Sequence, residues 1–568
     1  MSPGSEPLLI EPYTPVSRSL ELRIGRAYWD RLGSAAFRSG DVPHLGTTDG
    51  MLAARAADVL YQSCLDASGR GELEDEVQVV ELGAGLGLFA RLFLNRLQEC
   101  CHAAGSDFYE RVRYYATDNS QKMLADLASA GTLERHGAHV QLGLMDALHP
   151  GTLIDPDDGS AVELRGLRAL VHTYVLDALP FEYLVEAESG WLQMHVMTLV
   201  DKVGELCGRT QLERAEVSAL VADGLDAEAI EVLLPVQDLL SLEWAYLPVN
   251  LKDVPYGDYL PGVAEAVRAE NPAFVRISWP VGALASVNAS LGLLRADGFL
   301  LFGDYGRESV STDFSTHQRY GGSRARGVNL PGIEYVLSQQ NKDRAVPVRV
   351  IKAPGDERAN IHSRLLLFGD APAVEEVFLE RFDNAAFEAV AELREKARTA
   401  ALEGSVEAAA AMYAQAIAMA PENWLLKLEA ADFESNLNSN PEHGLELAEE
   451  AVAMNPTSHS MVLVALGDAQ LGLGRVAEAL DSYKRATAIK QDDIRSWIGR
   501  AVCYTELGRY YDACCQFGAA FGVDLADENR AKLLAGLNAV LDRRVEARGS
   551  TVARGPLRPQ VAPPSSTA

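Results

Sequence analysis

The sequence predicts an α/β protein: a doubly wound sheet with an inserted segment, followed by an all-α region of helical repeats. Three observations carry this. Up to about residue 380, short β-branched runs alternate with segments of helical spacing, the pattern of a parallel sheet with crossover helices. The first of these runs ends in a cluster of glycines. Beyond Arg381 strand signals vanish, and small and aromatic positions recur every 34 or 35 residues. A chain of 568 residues is expected to hold two to four domains at roughly 150 residues each.

Taken in order, residues 1–18 are rich in Pro and Ser and read as a flexible lead, and 19–75 as a helical segment broken by a turn at Ser39–Pro43. Val77–Leu82 is the first strand of the sheet, with a helix from Leu86 to Leu97. Arg113–Thr117 is the second strand and Ser120–Ser129 its helix; His139–Gly143 and Leu167–His172 are the third and fourth. Gly298–Gly303, preceded by a helix from Gly282 to Arg295, is the fifth. Val348–Ile351 and Ser363–Phe368 suit a closing hairpin. The stretch 191–271 breaks the alternation and reads as an insertion in a domain of 76–380. Residues 384–545 form the repeat region, and 546–568, rich in Pro, Arg, Ser and Thr, a disordered tail.

Charge and cysteine usage narrow the function. With 51 Lys and Arg against 80 Asp and Glu, the net charge is −29. Such a surface repels phosphate backbones and anionic lipid, so neither nucleic acid nor a membrane is an expected partner. The seven cysteines include no Cys-x-x-Cys pair and two adjacent pairs, which argues against a zinc cage or disulfide framework and for a reducing compartment. Met1–Val16 lacks a basic region followed by an apolar one, and no apolar run reaches the roughly 18 residues of a membrane helix. A cytoplasmic protein without a metal site is expected.

The chemistry is carried by Glu81-Leu82-Gly83-Ala84-Gly85-Leu86-Gly87 at the end of the first strand. Glycines there let the backbone turn sharply and approach a ligand, while the next helix offers its N-terminal N–H groups. A dinucleotide site wants Gly-x-Gly-x-x-Gly/Ala. Gly85-x-Gly87-x-x-Ala90 passes, but that frame starts two residues late. A site for S-adenosylmethionine (SAM) wants acid-x-Gly-x-Gly-x-Gly, which Glu81 to Gly87 matches throughout, the carboxylate being suited to the cofactor's ammonium. Asp118 follows the second strand, where an acid accepts from ribose hydroxyls; Asp146-Ala147 follow the third, where an adenine amino group would lie. Each acid taken singly could instead be a helix N-cap. Together with Gly83, Gly85 and Gly87 they favour SAM over NAD as cofactor.

Thr173-Tyr174-Val175-Leu176-Asp177-Ala178-Leu179-Pro180, after the fourth strand, resembles the Asn-Glu-x-x-Asp-Ala-Leu-Pro signature of MidA-type SAM-dependent methyltransferases, a family that includes the mitochondrial complex I assembly arginine methyltransferase. Trp191, Asp304-Tyr305-Gly306, His317 and Pro331-Gly332 fall where that family has its later elements, over about 45–370. The resemblance implies a class I SAM-methyltransferase-like sheet. It departs at Thr173-Tyr174, where the family has Asn-Glu, and at Glu182, where it has His. A glutamate at the end of the fourth strand would grip a guanidinium by a bidentate pair, so its loss puts arginine as acceptor in question. The candidate catalytic residues are Asp177, to orient the acceptor, Tyr174, as a wall or hydrogen-bond donor, and Tyr305, to close the pocket. Asp177 could alternatively cap the next segment and Tyr174 be core. His172 and His317 read as structural.

In the repeat region Ala416, Ala451, Ala486 and Ala520 lie 35, 35 and 34 residues apart, with Tyr413, Ala448, Tyr483 and Phe517 three places before each. Gly474 and Gly508 suit the turns. This resembles the tetratricopeptide (TPR) family over about 404–523, with the second unit departing at Leu437–Leu445. Residues 391–450 carry 12 acids against 4 bases, which favours a basic segment in a TPR groove. The expected function is a SAM-dependent methyltransferase acting on nitrogen of a protein or peptide presented by the TPR region. A small-molecule methyltransferase whose repeats serve assembly, and a non-catalytic adaptor, are the alternatives.

Overall fold

The computed structural model describes residues 6–38, 42, 45–222, 224–270, 275–308, 318–320, 322–355, 361–457, 459–523 and 527–549. The chain divides into two compact units. The first takes Met1–Thr47, Leu52–Ser129 and Leu133–Asn384; the second takes Ala385 onward with Thr48–Met51 and Ala130–Thr132.

In chain order, the first unit holds β1 (Leu8–Pro15), α1 (Leu20–Leu32), α2 (Ala35–Arg38), α3 (Met51–Arg70), β2 (Val77–Leu82), α4 (Leu88–Ala104), β3 (Val112–Asp118), β4 (Val140–Leu144), β5 (Thr152–Ile154), β6 (Ala161–Glu163), β7 (Leu167–Thr173), β8 (Glu182–Ala187), β9 (Gly190–Val200), β10 (Leu240–Pro248), β11 (Val275–Trp279), β12 (Leu294–Arg307), β13 (Gln318–Tyr320), β14 (Ser323–Ala325), β15 (Val328–Asn329), β16 (Val348–Lys352) and β17 (Ile361–Phe368). The main sheet runs β16-β17-β12-β7-β2-β3-β4-β5-β6. Its five central strands, β12 to β4, are parallel, and the hairpin β16–β17 and the short β5 and β6 extend it antiparallel at the two edges.

Burial on both faces explains why β2 reads as a near-continuous apolar run: Val77, Val79, Val80 and Leu82 are all buried. Fully burying each such side chain contributes roughly 1.5–3 kcal/mol relative to exposure. Alternation then sorts the faces. Val80, Leu82, Leu170, Leu300 and Phe302 join a core with Trp279, Leu284, Val287 and Ile333. Glu81 lies on the opposite face of β2 and accepts a hydrogen bond there from the Tyr114 hydroxyl at 3.0 Å.

Two expectations need correction. Leu8–Pro15, within the expected flexible lead, is a strand: β1 pairs antiparallel with β9, from Leu8 opposite Val200 to Pro15 opposite His195. The insertion is also larger than 191–271. It begins at β8 and ends at β11, and these strands build a second sheet, β1-β9-β8-β11, with β10 on β9. Its longest strands, β9 and β10, are only partly buried and intersperse Gln, His, Thr, Ser and Glu among their apolar residues, so the strand signal is weaker than in the main sheet. The turn at Ser39–Pro43 lies outside the described residues apart from Val42.

The second unit, in the described residues, is helical: Asn384–Leu402, Val406–Met419, Trp424–Asn436, Pro441–Met454, Ser460–Gly472, Val476–Ile489, Ile494–Glu506, Tyr510–Phe521 and Asp527–Gly549. The recurrent positions fall on the second helix of successive pairs. Ala416, Ala451, Ala486 and Ala520 are fully buried, as are Ala448 and Tyr483 among the residues one turn earlier. Gly404, Gly474 and Gly508 take left-handed φ of +78°, +72° and +71° in the turns. At the corresponding place in the irregular second unit, Ser439 does the same at +56°. The last helix reaches Gly549, so 546–549 of the expected tail is helical; the rest of it lies outside the described residues. Among the described residues no helix is long and apolar enough to cross a membrane.

Candidate functional site

The carboxyl ends of β2, β3, β4 and β7 open on a cavity of about 590 Å³, roofed by α1 and α2. That is the ligand edge of an open α/β sheet. Of the expected cofactor residues, Gly83, Gly85, Asp118, Asp146 and Ala147 line it; of the catalytic candidates, Asp177 and Tyr174 do.

The glycine loop is held by backbone and by Asp118. The Ala84 N–H donates to Thr117 O at 2.8 Å, and the Gly85 N–H to Asp118 Oδ2 at 3.2 Å. Asp118 Oδ1 accepts from the Ser120 N–H at 3.0 Å, so this acid also caps the following segment. Burial outweighs these bonds and pushes the Asp118 carboxyl up to about 6. Asp146 Oδ1 accepts from the Leu148 N–H at 3.0 Å, and its Oδ2 lies 3.8 Å from Arg26 Nη2.

Glu81 and Gly87 do not line the cavity. Glu81 faces Tyr114 beneath the sheet, and burial drives its carboxyl up to about 8, which favours its neutral form. It is therefore not placed to attract an ammonium, a correction that follows from the alternation of β2. Gly87 starts α4, where its conformation rather than a ligand contact is used.

After β7 the chain turns tightly. Tyr174 sits at φ +59°, a sparsely populated region for a residue with a ring, and donates its N–H to Gly303 O at 3.0 Å. Its ring meets Tyr305 edge-on at 5.2 Å; Tyr305 itself is not in the cavity wall and braces Tyr174 from behind. The turn Leu176–Ala178 is anchored by Asp304. Asp304 Oδ2 accepts from the Val175 and Leu176 N–H groups at 2.9 and 2.6 Å, and Oδ1 from the Tyr305 N–H at 2.8 Å. Burial raises Asp304 to about 7 and Asp177 further, the charge of Asp304 adding to the effect on Asp177. Two carboxyls in one dry site cannot both ionise easily. Asp304 is satisfied by three N–H groups, whereas burial and the charge of Asp304 both favour the neutral form of Asp177. Asp177 Oδ1 is buried and has no hydrogen-bond partner among the described residues.

The remaining sequence candidates are structural. His172 is fully buried and stacks on Phe302 at 5.4 Å, with burial lowering its pKa to about 3. Pro331 and Gly332 start a helix capped by Asn329. Glu182, at the head of β8, accepts from Ser17 Oγ. His317 lies outside the described residues. The sequence reading missed the roof: Leu22, Arg23, Gly25, Arg26 and Trp29 of α1, and Phe37 of α2, all line the cavity. Their i, i+3, i+4, i+7 spacing marks one helix face, but nothing in it distinguishes a cavity from solvent.

Apolar walls from Trp29, Phe37, Met145 and Leu148, with Asp118 and Asp146 as acceptors, define a site for a nucleoside-bearing cofactor on a doubly wound sheet. Residues 59–326 match the model of a family described as "Putative S-adenosyl-L-methionine-dependent methyltransferase". The chain is an S-adenosylmethionine-dependent methyltransferase, with SAM as its cofactor. No match was found among curated proteins. Among solved structures, two of a COG1565 superfamily protein from Burkholderia thailandensis, one described as a likely methyl transferase bound to S-adenosyl-homocysteine, align at 16% and 15% identity over 64% of this chain and 90% of theirs, with TM-scores of 0.40 and 0.39. A thermophilic TPR protein of Thermus thermophilus aligns at 20% identity over 29% of this chain and 90% of its own, with a TM-score of 0.24.

The residues present fit SAM. Gly83 and Gly85 leave the loop side of the cavity open, acids stand at the ends of β3 and β4, and the unpartnered Asp177 oxygen lies where β7 delivers it. SAM supplies an electrophilic methyl group on a sulfonium. Among the chain's own groups, Asp118 orders the loop by taking the Gly85 N–H, and Asp304 fixes the turn that carries Asp177 into the cavity wall.

Proposed function

We propose that this chain methylates a nitrogen of a protein or peptide, in the manner of the MidA-type enzymes it resembles, and that residues 384–545 act as a TPR array that binds the polypeptide. The observation that carries the reading is Asp177: a buried carboxyl with an unsatisfied oxygen, in the cavity wall, tuned by a neighbouring acid. A nitrogen acceptor must shed a proton and be held in line with the methyl group, and a buried carboxyl with an unsatisfied oxygen in the cavity wall is the group placed to hold it. Thr173-Tyr174 in place of the family's Asn-Glu removes a bidentate guanidinium partner, so the nitrogen is not restricted to arginine. Repeats on the same chain raise the local concentration of a weakly held acceptor, to the order of millimolar for short flexible connections. We place this activity in the cytoplasm.

Radiolabelled methyl transfer from SAM into a cell lysate, resolved by size, tests the reading. Label in polypeptides is expected; label confined to small molecules would overturn it. Deletion of 384–568 should leave SAM binding intact and sharply reduce polypeptide labelling.

A further inference from the structure

The α1 side of the cavity carries more positive charge than the rest of the site uses. Arg18, Arg23, Arg26 and Arg324 all line it, in a chain of net charge −29. Two are engaged. Arg324 donates through Nε to Glu21 at 2.7 Å and through Nη2 to Gln237 at 3.1 Å, while Arg26 faces Asp146. The side chains of Arg18 and Arg23 make no hydrogen bond or ion pair among the described residues; Arg18 is exposed and Arg23 half-buried. The acids whose charge they feel are Glu182 and Glu11, and both are bonded elsewhere, to Ser17 Oγ and to the Leu20 N–H at 2.8 Å. Burial holds each of these carboxyls up at about 7, so at neutral pH they cancel only part of the guanidinium charge.

α1 spans about 20 Å at 1.5 Å per residue. Its later turns stand by the nucleoside acids: Trp29 O accepts from Ser120 Oγ at 3.2 Å, and Arg26 reaches Asp146. Its start stands by the turn after β7. Ser17 donates to Glu182, just beyond Pro180, and Leu179 and Pro180 line the cavity with Ser17 and Arg18. Arg18 thus stands at the acceptor end, and Arg23 lines the same wall one helical turn before Arg26.

We infer that Arg18 and Arg23 form an anion subsite that receives a carboxylate of the methyl acceptor, within a side chain's reach of the methylated atom. A guanidinium pair suits this role because its planar fork matches a carboxylate and stays charged at every working pH. The inference rests on the reading that the acceptor enters beside Asp177, and it narrows that reading to acceptors with an acid near the nitrogen. The cofactor's own carboxylate is the other source of the same chemistry.

The test uses full-length protein saturated with S-adenosylhomocysteine and saturation-transfer NMR with N-acetylglutamate and N-acetylglutamine. Transfer to the acid is expected at several times that to the amide, and should be lost in Arg18→Gln/Arg23→Gln. Equal transfer to acid and amide, or unchanged transfer in the double variant, would overturn the subsite. Calorimetry then separates the sources. The double variant should bind S-adenosylhomocysteine and 5′-methylthioadenosine, which lacks the amino-acid end, with unchanged affinity. A tenfold loss for the first alone would assign the arginines to the cofactor and overturn the acceptor assignment. Absence of label from polypeptides in the lysate experiment would remove the protein-substrate reading while leaving the anion result in place.

Discussion

The glycines of the cofactor loop and those of the repeat turns share one backbone conformation and live in opposite surroundings. Gly83, Gly85 and Gly87 have φ of +74°, +51° and +69°, and Gly404, Gly474 and Gly508 +78°, +72° and +71°. A Cβ at Gly83 would come within 2.6 Å of Val175 Cγ2, at Gly85 within 3.3 Å of the Phe37 ring and at Gly87 within 2.4 Å of Leu127 Cδ1. At the three repeat glycines it would meet nothing within 4 Å. The loop therefore needs glycine for conformation and for space, the turns for conformation alone. Ser439 is the natural proof that the second need is lighter: a side chain occupies the left-handed position of the second repeat.

The largest effect should follow from Gly83→Ala. Left-handed strain of roughly 1–2 kcal/mol adds to a collision with Val175, and overpacking of that kind costs about 1–3 kcal/mol. Val175 heads the turn that delivers Asp177, so affinity for S-adenosylhomocysteine should fall at least tenfold as well. Val175→Ala in the same chain should recover the collision part and leave the strain, a coupling that a double-mutant cycle on thermal unfolding reads directly. Additive effects of the two substitutions would show that the loop, like the turns, is limited by backbone alone.

Asp118, which closes the loop, gives a smaller and pH-dependent effect. Its carboxyl is raised to about 6 in the folded chain, against about 4 for an unhindered aspartate. A raised folded value means that the group favours folding most when protonated, below pH 4, and that this contribution is lost as pH rises through 6. Asp118→Asn should flatten the stability profile between pH 4 and 6 while weakening cofactor binding, because Asn offers the Gly85 N–H and a ribose hydroxyl a poorer acceptor. Denaturant midpoints across that window, with calorimetry of S-adenosylhomocysteine at pH 7, check both halves. A variant that keeps the wild-type slope would move the titration to another group.

The same contrast explains what the sequence could and could not tell. The parallel strands were legible because burial on both faces leaves short runs dominated by apolar residues, as in Val77–Leu82 and Leu167–Thr173. β1 was not, since Leu8–Pro15 contains Pro12 and Pro15 and finds its partner some 190 residues away in β9. At the site, Gly83, Gly85, Asp118, Asp146 and Asp177 stand at strand ends that the alternation of elements locates, and the fold brings them to one cavity. For Glu81 the clue lay in β2: with Val80 and Leu82 in the core that holds Trp279 and Leu284, the residue between them points to the other buried face, where Tyr114 meets it. The arginines of α1 carried no such clue, because an arginine facing a cavity and one facing water have the same spacing. Ser439 was legible only as irregularity, yet it lies 35 residues from both Gly404 and Gly474.

The smallest effects belong to the turns, and they have opposite signs. Gly474→Ala introduces a Cβ into open space, so its whole cost is left-handed strain, about 1 kcal/mol. Ser439→Gly removes the same strain from the second repeat and should stabilise it, by less than about 1 kcal/mol, since glycine also gains freedom in the unfolded chain and the serine's own contacts are given up. Hydrogen exchange in the full-length protein resolves the two: protection should fall in Ser460–Gly472 and Val476–Ile489 for the first variant and rise in Trp424–Asn436 and Pro441–Met454 for the second. Because repeats couple mainly to their neighbours, each change should fade within one unit of its origin. A loss of protection on Ser439→Gly would mean that the serine's contacts, not its backbone, define that turn, and the second repeat would then be a built variation on the others rather than a strained copy.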